Sequence, residues 1–126
     1  MPSPVVHFEI IGRDPTALRK FYADLFGWEF DTSGRVSPTI SNETDYGFVP
    51  PPDGAGPVAG GVGGGASFEP QTVFYVHVPD VHAALRRVEE LGGTRVLGPE
   101  QSPGGPLVIG QFRDPEGNLI GLAAKI

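Results

Sequence analysis

Two short segments of this 126-residue chain hold the side chains whose types and spacing could do chemistry. In Val5-Val6-His7-Phe8-Glu9-Ile10-Ile11 an imidazole and a carboxylate stand two residues apart; in Thr72-Val73-Phe74-Tyr75-Val76-His77-Val78 a phenol and a second imidazole do the same. Successive side chains of a strand point to opposite faces, so this spacing puts His7 with Glu9, and Tyr75 with His77, on one face of each strand. An imidazole beside a carboxylate can serve as acid and base toward a bound molecule or can offer lone pairs to a metal. A tyrosine hydroxyl adds a hydrogen bond to a ligand. Each residue also has a plain structural reading: a strand histidine satisfied by a neighbour, a solvated carboxylate, an aromatic that packs. His82, in the first turn of a helix, reads as surface.

Composition narrows the chemistry further. There is no cysteine, which removes disulfides, thiolate nucleophiles and sulfur-ligated zinc, so a metal would need His, carboxylate and water. Nucleophile-elbow and paired-helix-histidine signatures are missing, and Gly60-Gly61-Val62-Gly63-Gly64-Gly65 lacks the Lys-Ser or Lys-Thr ending of a phosphate loop. Nine basic against fifteen acidic residues leave a net charge of -6. Nucleic acid and anionic membrane are therefore poor partners, and a neutral or cationic small molecule is a compatible one. With no leader-like N-terminus and no apolar run of about 18 residues, the chain is expected to be cytoplasmic.

The elements that must position these residues emerge when the sequence is laid on itself. Shifted by 66 residues, Asp14 falls on Asp80, Ala17 on Ala83, Lys20 on Arg86, Leu25 on Leu91 and Gly27 on Gly93. Both copies read as amphipathic helices that open on an aspartate N-cap and close on glycine. Their apolar stripes are Leu18, Phe21, Tyr22, Leu25 and Val81, Ala84, Leu85, Val88, Leu91. A strand-like run precedes each helix, and shorter β-prone pieces follow it, near 28–31, 45–49 and 58–62 in the first copy and 94–97, 107–113 and 118–124 in the second. Asp114-Pro115-Glu116-Gly117-Asn118 is a tight turn between the last two pieces. The expected architecture is α+β, two βαβββ modules with curved mixed sheets around a cavity and helices outside. Module 1 spans about 4–62, module 2 about 71–126, and a Gly/Pro-rich linker over about 50–70 overlaps the end of module 1. Val6, Phe8 and Ile10, with Thr72, Phe74, Val76 and Val78, should pack on the helices; His7, Glu9, Tyr75 and His77 should line the cavity.

Taken together and in order, these motifs resemble the vicinal oxygen chelate superfamily: glyoxalase I, extradiol dioxygenases, bleomycin-resistance proteins and the bacterial glyoxalase-like group. The resemblance rests on His7, Asp14, Phe21-Tyr22, Leu25-Phe26-Gly27-Trp28, Val78 to Asp80, Glu90-Leu91-Gly92-Gly93 and the Asp114 to Asn118 turn, and it spans nearly the whole chain. It implies a single domain that acts on, or binds, a small molecule, and a homodimer. Metal-dependent members take a His and a Glu from the first and last strands of each module. Here His7 matches one such position, while Val73, Gly121 and the Gly60-Gly61 region stand at the others, with Glu9 or His77 as conceivable supplements. Two functions follow from the resemblance. One is a lyase, isomerase or dioxygenase-type enzyme using His7 and Glu9, with or without Zn, Ni, Mn or Fe. The other is a metal-free protein that sequesters a small molecule, with His7, Glu9, Tyr75, His77 and Gly121 in its cavity.

Overall fold

The computed structural model describes residues 2–51, 58–103 and 105–125. The chain divides into a unit His7–Thr72 and a unit made of Met1–Val6 with Val73–Ile126, each containing one helix and one copy of the repeat. The first contains β1 (Val5–Gly12), α1 (Pro15–Phe26), β2 (Gly47–Val49) and β3 (Ala59–Gly64), in the strand order β2-β3-β1. The second contains β4 (Gln71–His77), α2 (Val81–Glu90), β5 (Thr94–Gln101), β6 (Leu107–Arg113) and β7 (Leu119–Lys125), in the order β4-β7-β6-β5. In both, the last strand runs parallel to the first and antiparallel to its other neighbour. This is the mixed α+β class that the repeat predicts.

Both helices begin as expected. The Asp14 and Asp80 carboxylates accept the Ala17 and Ala83 amides at 3.1 Å, satisfying donors that the first turn leaves unpaired. Gly27 ends α1 at φ 72°, a left-handed conformation that glycine adopts without steric cost. α2 buries Val81 and Leu85 against Leu122 and Ala124, with Val76, Val78, Val108 and Phe112 around them. α1 keeps half of its expected stripe: Phe21 and Leu25 are 58% and 59% exposed, with Phe26 beside them at 56%. Its contact to the unit runs through the other half, Leu18 against Gly12 and Tyr22 stacked 5.7 Å from Trp28, which in turn meets Phe8 at 5.1 Å.

Three further expectations need correction. The piece 28–31 is not a strand; Asp31 makes one isolated bridge to Phe48. Trp28 and Phe30 are drawn into the aromatic cluster, and the three-residue β2 offers nothing longer to pair with. Where the stretch 50–70 overlaps the strand piece expected near 58–62, the strand prevails: 59–64 is β3, the central strand of its unit, while 52–57 lie outside the described residues. Glycine is accommodated there because neighbouring rings occupy the space: a Cβ at Gly60 would fall within the Phe8 ring and one at Gly61 within the Tyr46 ring. Thirdly, the face of β1 and β4 expected to be open is the deeper one. Glu9, Ile11, Val73 and Tyr75 are all buried, whereas Phe74 on the opposite face is 43% exposed. In the first unit the segment before β2 folds over that face, burying Val36, Ile40 and Tyr46.

The 114–118 turn forms as predicted. The Asp114 carboxylate accepts the Glu116 and Asn118 amides at 2.9 Å and the Asn118 side chain, and these bonds, Asn118 foremost, hold its carboxyl below the usual range.

Candidate functional site

In the first unit, β1 presents His7 and Glu9 on one face, and the segment before β2 brings Tyr46 over them. The Tyr46 hydroxyl donates to Glu9 Oε1 at 3.1 Å and lies 2.9 Å from His7 Nε2, so the three side chains form one hydrogen-bonded chain. Glu9 and Tyr46 are 3% and 1% exposed, and His7 is half-buried. Loss of hydration pushes the His7 imidazole down to about 4, so it is neutral at physiological pH. The Tyr46 ring can lie there because β3 offers Gly61, paired in register with Glu9, where any side chain would collide with it. Phe48 closes the aromatic wall, 4.8 Å from Tyr46 and 6.4 Å from His7.

The second unit repeats the plan with different chemistry. Tyr75 on β4 pairs in register with Gly121 on β7, and Gly121 pairs with Gln111 on β6. Gln111 Nε2 donates to the Tyr75 hydroxyl at 2.8 Å, spanning the strand that Gly121 leaves bare. A Cβ at Gly121 would strike the Tyr75 ring. Val73 and Ala123 pack with Tyr75 in a small core, and Gln111 is 6% exposed. His77 lies exposed near the end of β4, with its backbone amide bound to the Pro4 carbonyl at 2.8 Å.

Of the five residues predicted to line a cavity, His7 and Glu9 are brought together in one unit, and Tyr75 and Gly121 in the other. Tyr46 and Gln111 were not foreseen. The available signal was the glycine at a last-strand centre, which marks a place where another group approaches the backbone closely.

The donor set does not fit a chelated metal. At the positions where the resemblance implies ligands stand His7, Gly61, Val73 and Gly121, and His7 already shares its Nε2 with Tyr46. Both glycine positions lie under tyrosine rings, and among the described residues no group of three or more His, Asp or Glu is placed to hold a metal ion.

Residues 7–123 match the Glyoxalase-like domain family. The chain belongs to that family. No curated protein matches it significantly. Among solved structures it is similar to Streptomyces coelicolor methylmalonyl-CoA epimerase in complex with 2-nitronate-propionyl-CoA, at 14% identity and TM-score 0.65, covering 99% of each chain. It is also similar to methylmalonyl-CoA epimerase from Mycobacterium tuberculosis, at 16% identity and TM-score 0.62, covering 97% of this chain and 87% of that one. A glyoxalase/bleomycin resistance protein/dioxygenase superfamily member from Vibrio splendidus 12B01 matches at 19% identity and TM-score 0.58, covering 98% and 100%. These likenesses establish the vicinal oxygen chelate fold. No helix among the described residues is long and apolar enough to cross a membrane.

Proposed function

We propose that this glyoxalase-like protein binds a small molecule without a metal, as a sequestering member of its superfamily. The observation that supports this reading is the occupation of both last-strand positions, Gly61 and Gly121, by tyrosine rings where a chelating member would need carboxylates. The polar groups for recognition are then His7, Tyr46 and Glu9 of the first unit, beside the Phe48 ring. Isothermal titration with Zn, Ni, Mn and Fe(II) tests the reading. No stoichiometric binding is expected, and His7-dependent binding at one ion per chain would overturn it.

The buried chain His7-Tyr46-Glu9 favours a second reading, acid and base catalysis by these residues on a small oxygenated metabolite. Turnover that disappears in His7→Gln, with the fold intact, would select it. The exposed Phe21, Leu25 and Phe26 on α1 support a homodimer in either case, checked by sedimentation. A cytoplasmic location belongs to the same proposal.

A further inference from the structure

The second unit carries a groove at the end of its sheet. β4 stops at His77, because Pro79 has no amide to donate and Asp80 already caps α2, while β7 runs on through Ala124 to Lys125. Around that stop is a cavity of about 520 Å³, within the range of about 300–1,000 Å³ usual for small-molecule sites, and every residue that lines it belongs to this unit. Its walls are apolar: Val6 of β1, Val78, Pro79, Leu107 of β6 and Ala124. Its two polar side chains are those of His77 and Lys125. We propose that this groove is a further small-molecule site and that it takes an apolar carboxylic acid, with the carboxylate held by Lys125 and His77 and the hydrocarbon part against the apolar walls. The proposal goes beyond the reading of the His7 site and does not rest on it.

Three observations support it. His77 pairs in register with Ala123, and Lys125 with Leu107, so alternation along β7 puts the imidazole, the ammonium and the Leu107 side chain on one face of the sheet. Only the small Ala123 stands between the two polar groups. Both are exposed, and among the described residues neither side chain has a hydrogen-bond or ion-pair partner. A carboxylate seated there gains the ammonium and an imidazole N–H, which histidine offers in either protonation state. The backbone adds a further donor. The N–H and C=O of one strand residue point to the same side, and the Ala123 carbonyl accepts the Val78 amide at 3.0 Å. Two residues on, the Lys125 amide is therefore directed past the end of β4, toward the groove. Charge agrees as well. Among the described residues no acidic side chain lines the groove, and the Asp80 carboxylate beside Pro79 is turned into its helix, accepting the Ala83 amide at 3.1 Å. The groove is thus locally cationic on a chain whose net charge is -6. One ammonium matches one negative charge, and the extent of apolar wall suits a hydrocarbon rather than a polyol or a polyphosphate.

The test is NMR of the backbone amides of the whole protein at neutral pH, titrated with phenylpropanoate, phenylpropylamine and phenylpropanol, which share one hydrocarbon and differ in the charge of its end. The carboxylate should shift the Val78, Ala124 and Lys125 signals saturably and bind about tenfold tighter than the amine, with the alcohol between them. Lys125→Met should weaken the carboxylate about fivefold and leave the alcohol unchanged, and Lys125→Arg should keep the affinity. His77→Phe should weaken the carboxylate about threefold. Both side chains are exposed, so these variants keep the fold. The amine binding as tightly as the carboxylate, a preference that survives Lys125→Met, or no saturable shift at these residues up to millimolar concentrations overturns the proposal. Shifts confined to His7 and Tyr46 also overturn it, and would place the anion at the first unit's cluster instead.

Discussion

The two repeats solve one geometric problem with opposite chemistries. In each, a glycine at the centre of the last strand faces a residue of the first strand in register, Gly61 with Glu9 and Gly121 with Tyr75, and a tyrosine ring lies over it. In the first unit the first strand supplies the carboxylate and the aromatic arrives from the segment before β2; in the second the first strand supplies the aromatic and β6 supplies the amide of Gln111. The partners have traded strands across a shared bare backbone. Only the first unit holds an imidazole and a carboxyl group at this place, so reactivity and pH dependence near neutrality should be concentrated there, while the second, with a phenol and an amide, is a packed counterpart. An imidazole at His7 and an isopropyl at Val73 mark the same asymmetry.

The sharpest way to break the comparison is to fill the glycines. Gly61→Ala and Gly121→Ala each push a methyl into a buried ring whose surroundings leave it no room, and each should cost about 3 kcal/mol in urea denaturation. Similar losses at both would support a common architecture. A tolerated substitution at one would mean that its tyrosine swings away freely, and the parallel would fail there.

The titration of His7 separates the units next. Its imidazole is pushed down to about 4 in the folded protein, so between pH 4 and about 6.5 the unfolded chain binds more protons than the folded one. Stability is then undiminished above that window and falls as pH drops through it, by about 1–3 kcal/mol, the lower part of the range reflecting the ring's partial exposure. Melting curves at pH 7.5 and 4.5 should show this loss, and His7→Gln should remove most of it. Asp31 and Asp114 are held below the usual carboxylate range, Asp31 chiefly by the Ser33 hydroxyl, so stability they contribute is present above pH 3.8 and disappears at lower pH, outside this window. A slope that persists in His7→Gln would place the titrating group elsewhere.

Removing the hydroxyls tests the difference in bonding. Tyr46→Phe breaks bonds to both Glu9 and His7 and should cost about 2 kcal/mol; Tyr75→Phe breaks the bond to Gln111 and should cost about 1 kcal/mol. Equal losses would mean that the second bond, to His7, adds nothing to the worth of the Tyr46 hydroxyl.

What the sequence revealed, and what it hid, divides along the same line. The repeat, both helices with their caps, β6 and the 114–118 turn were legible because each is written in neighbouring residues: an aspartate before a helical stripe, an apolar run, a Pro-Gly-Asn turn. The site was half legible. Alternation puts His7 beside Glu9, but the residues that complete each cluster come from 37 positions away for Tyr46 and 36 for Gln111, and neither stands in a periodic context. Tyr46 follows the polar stretch Asn42 to Asp45, which reads as surface although Tyr46 is 1% exposed. β3 was legible as a piece near 58–62, but its central, buried place in the sheet was not, for a related reason. Four of its six residues are glycine, and its burial comes from Phe8 and Tyr46, so the information that places it is held in other elements.

The smallest expected effect concerns the feature that the units share most closely. Asp14 and Asp80 cap their helices with the same bond at the same 3.1 Å, three residues ahead in both cases. Asp14→Ala and Asp80→Ala should each cost about 1 kcal/mol. The flanking sequence should shift the balance slightly. Pro15 follows Asp14 and fixes its own φ near the helical value, so α1 keeps part of its start when the cap is lost, whereas Val81 after Asp80 brings no such restraint. Against this, α2 buries Val81 and Leu85 in its unit's core while α1 leaves Phe21, Leu25 and Phe26 largely in solvent, so packing can hold the first turn of α2 in place. The two influences oppose each other, and the paired measurement reads their difference. A larger loss at Asp14 would show that packing governs the start of these helices, and a larger loss at Asp80 that the proline does.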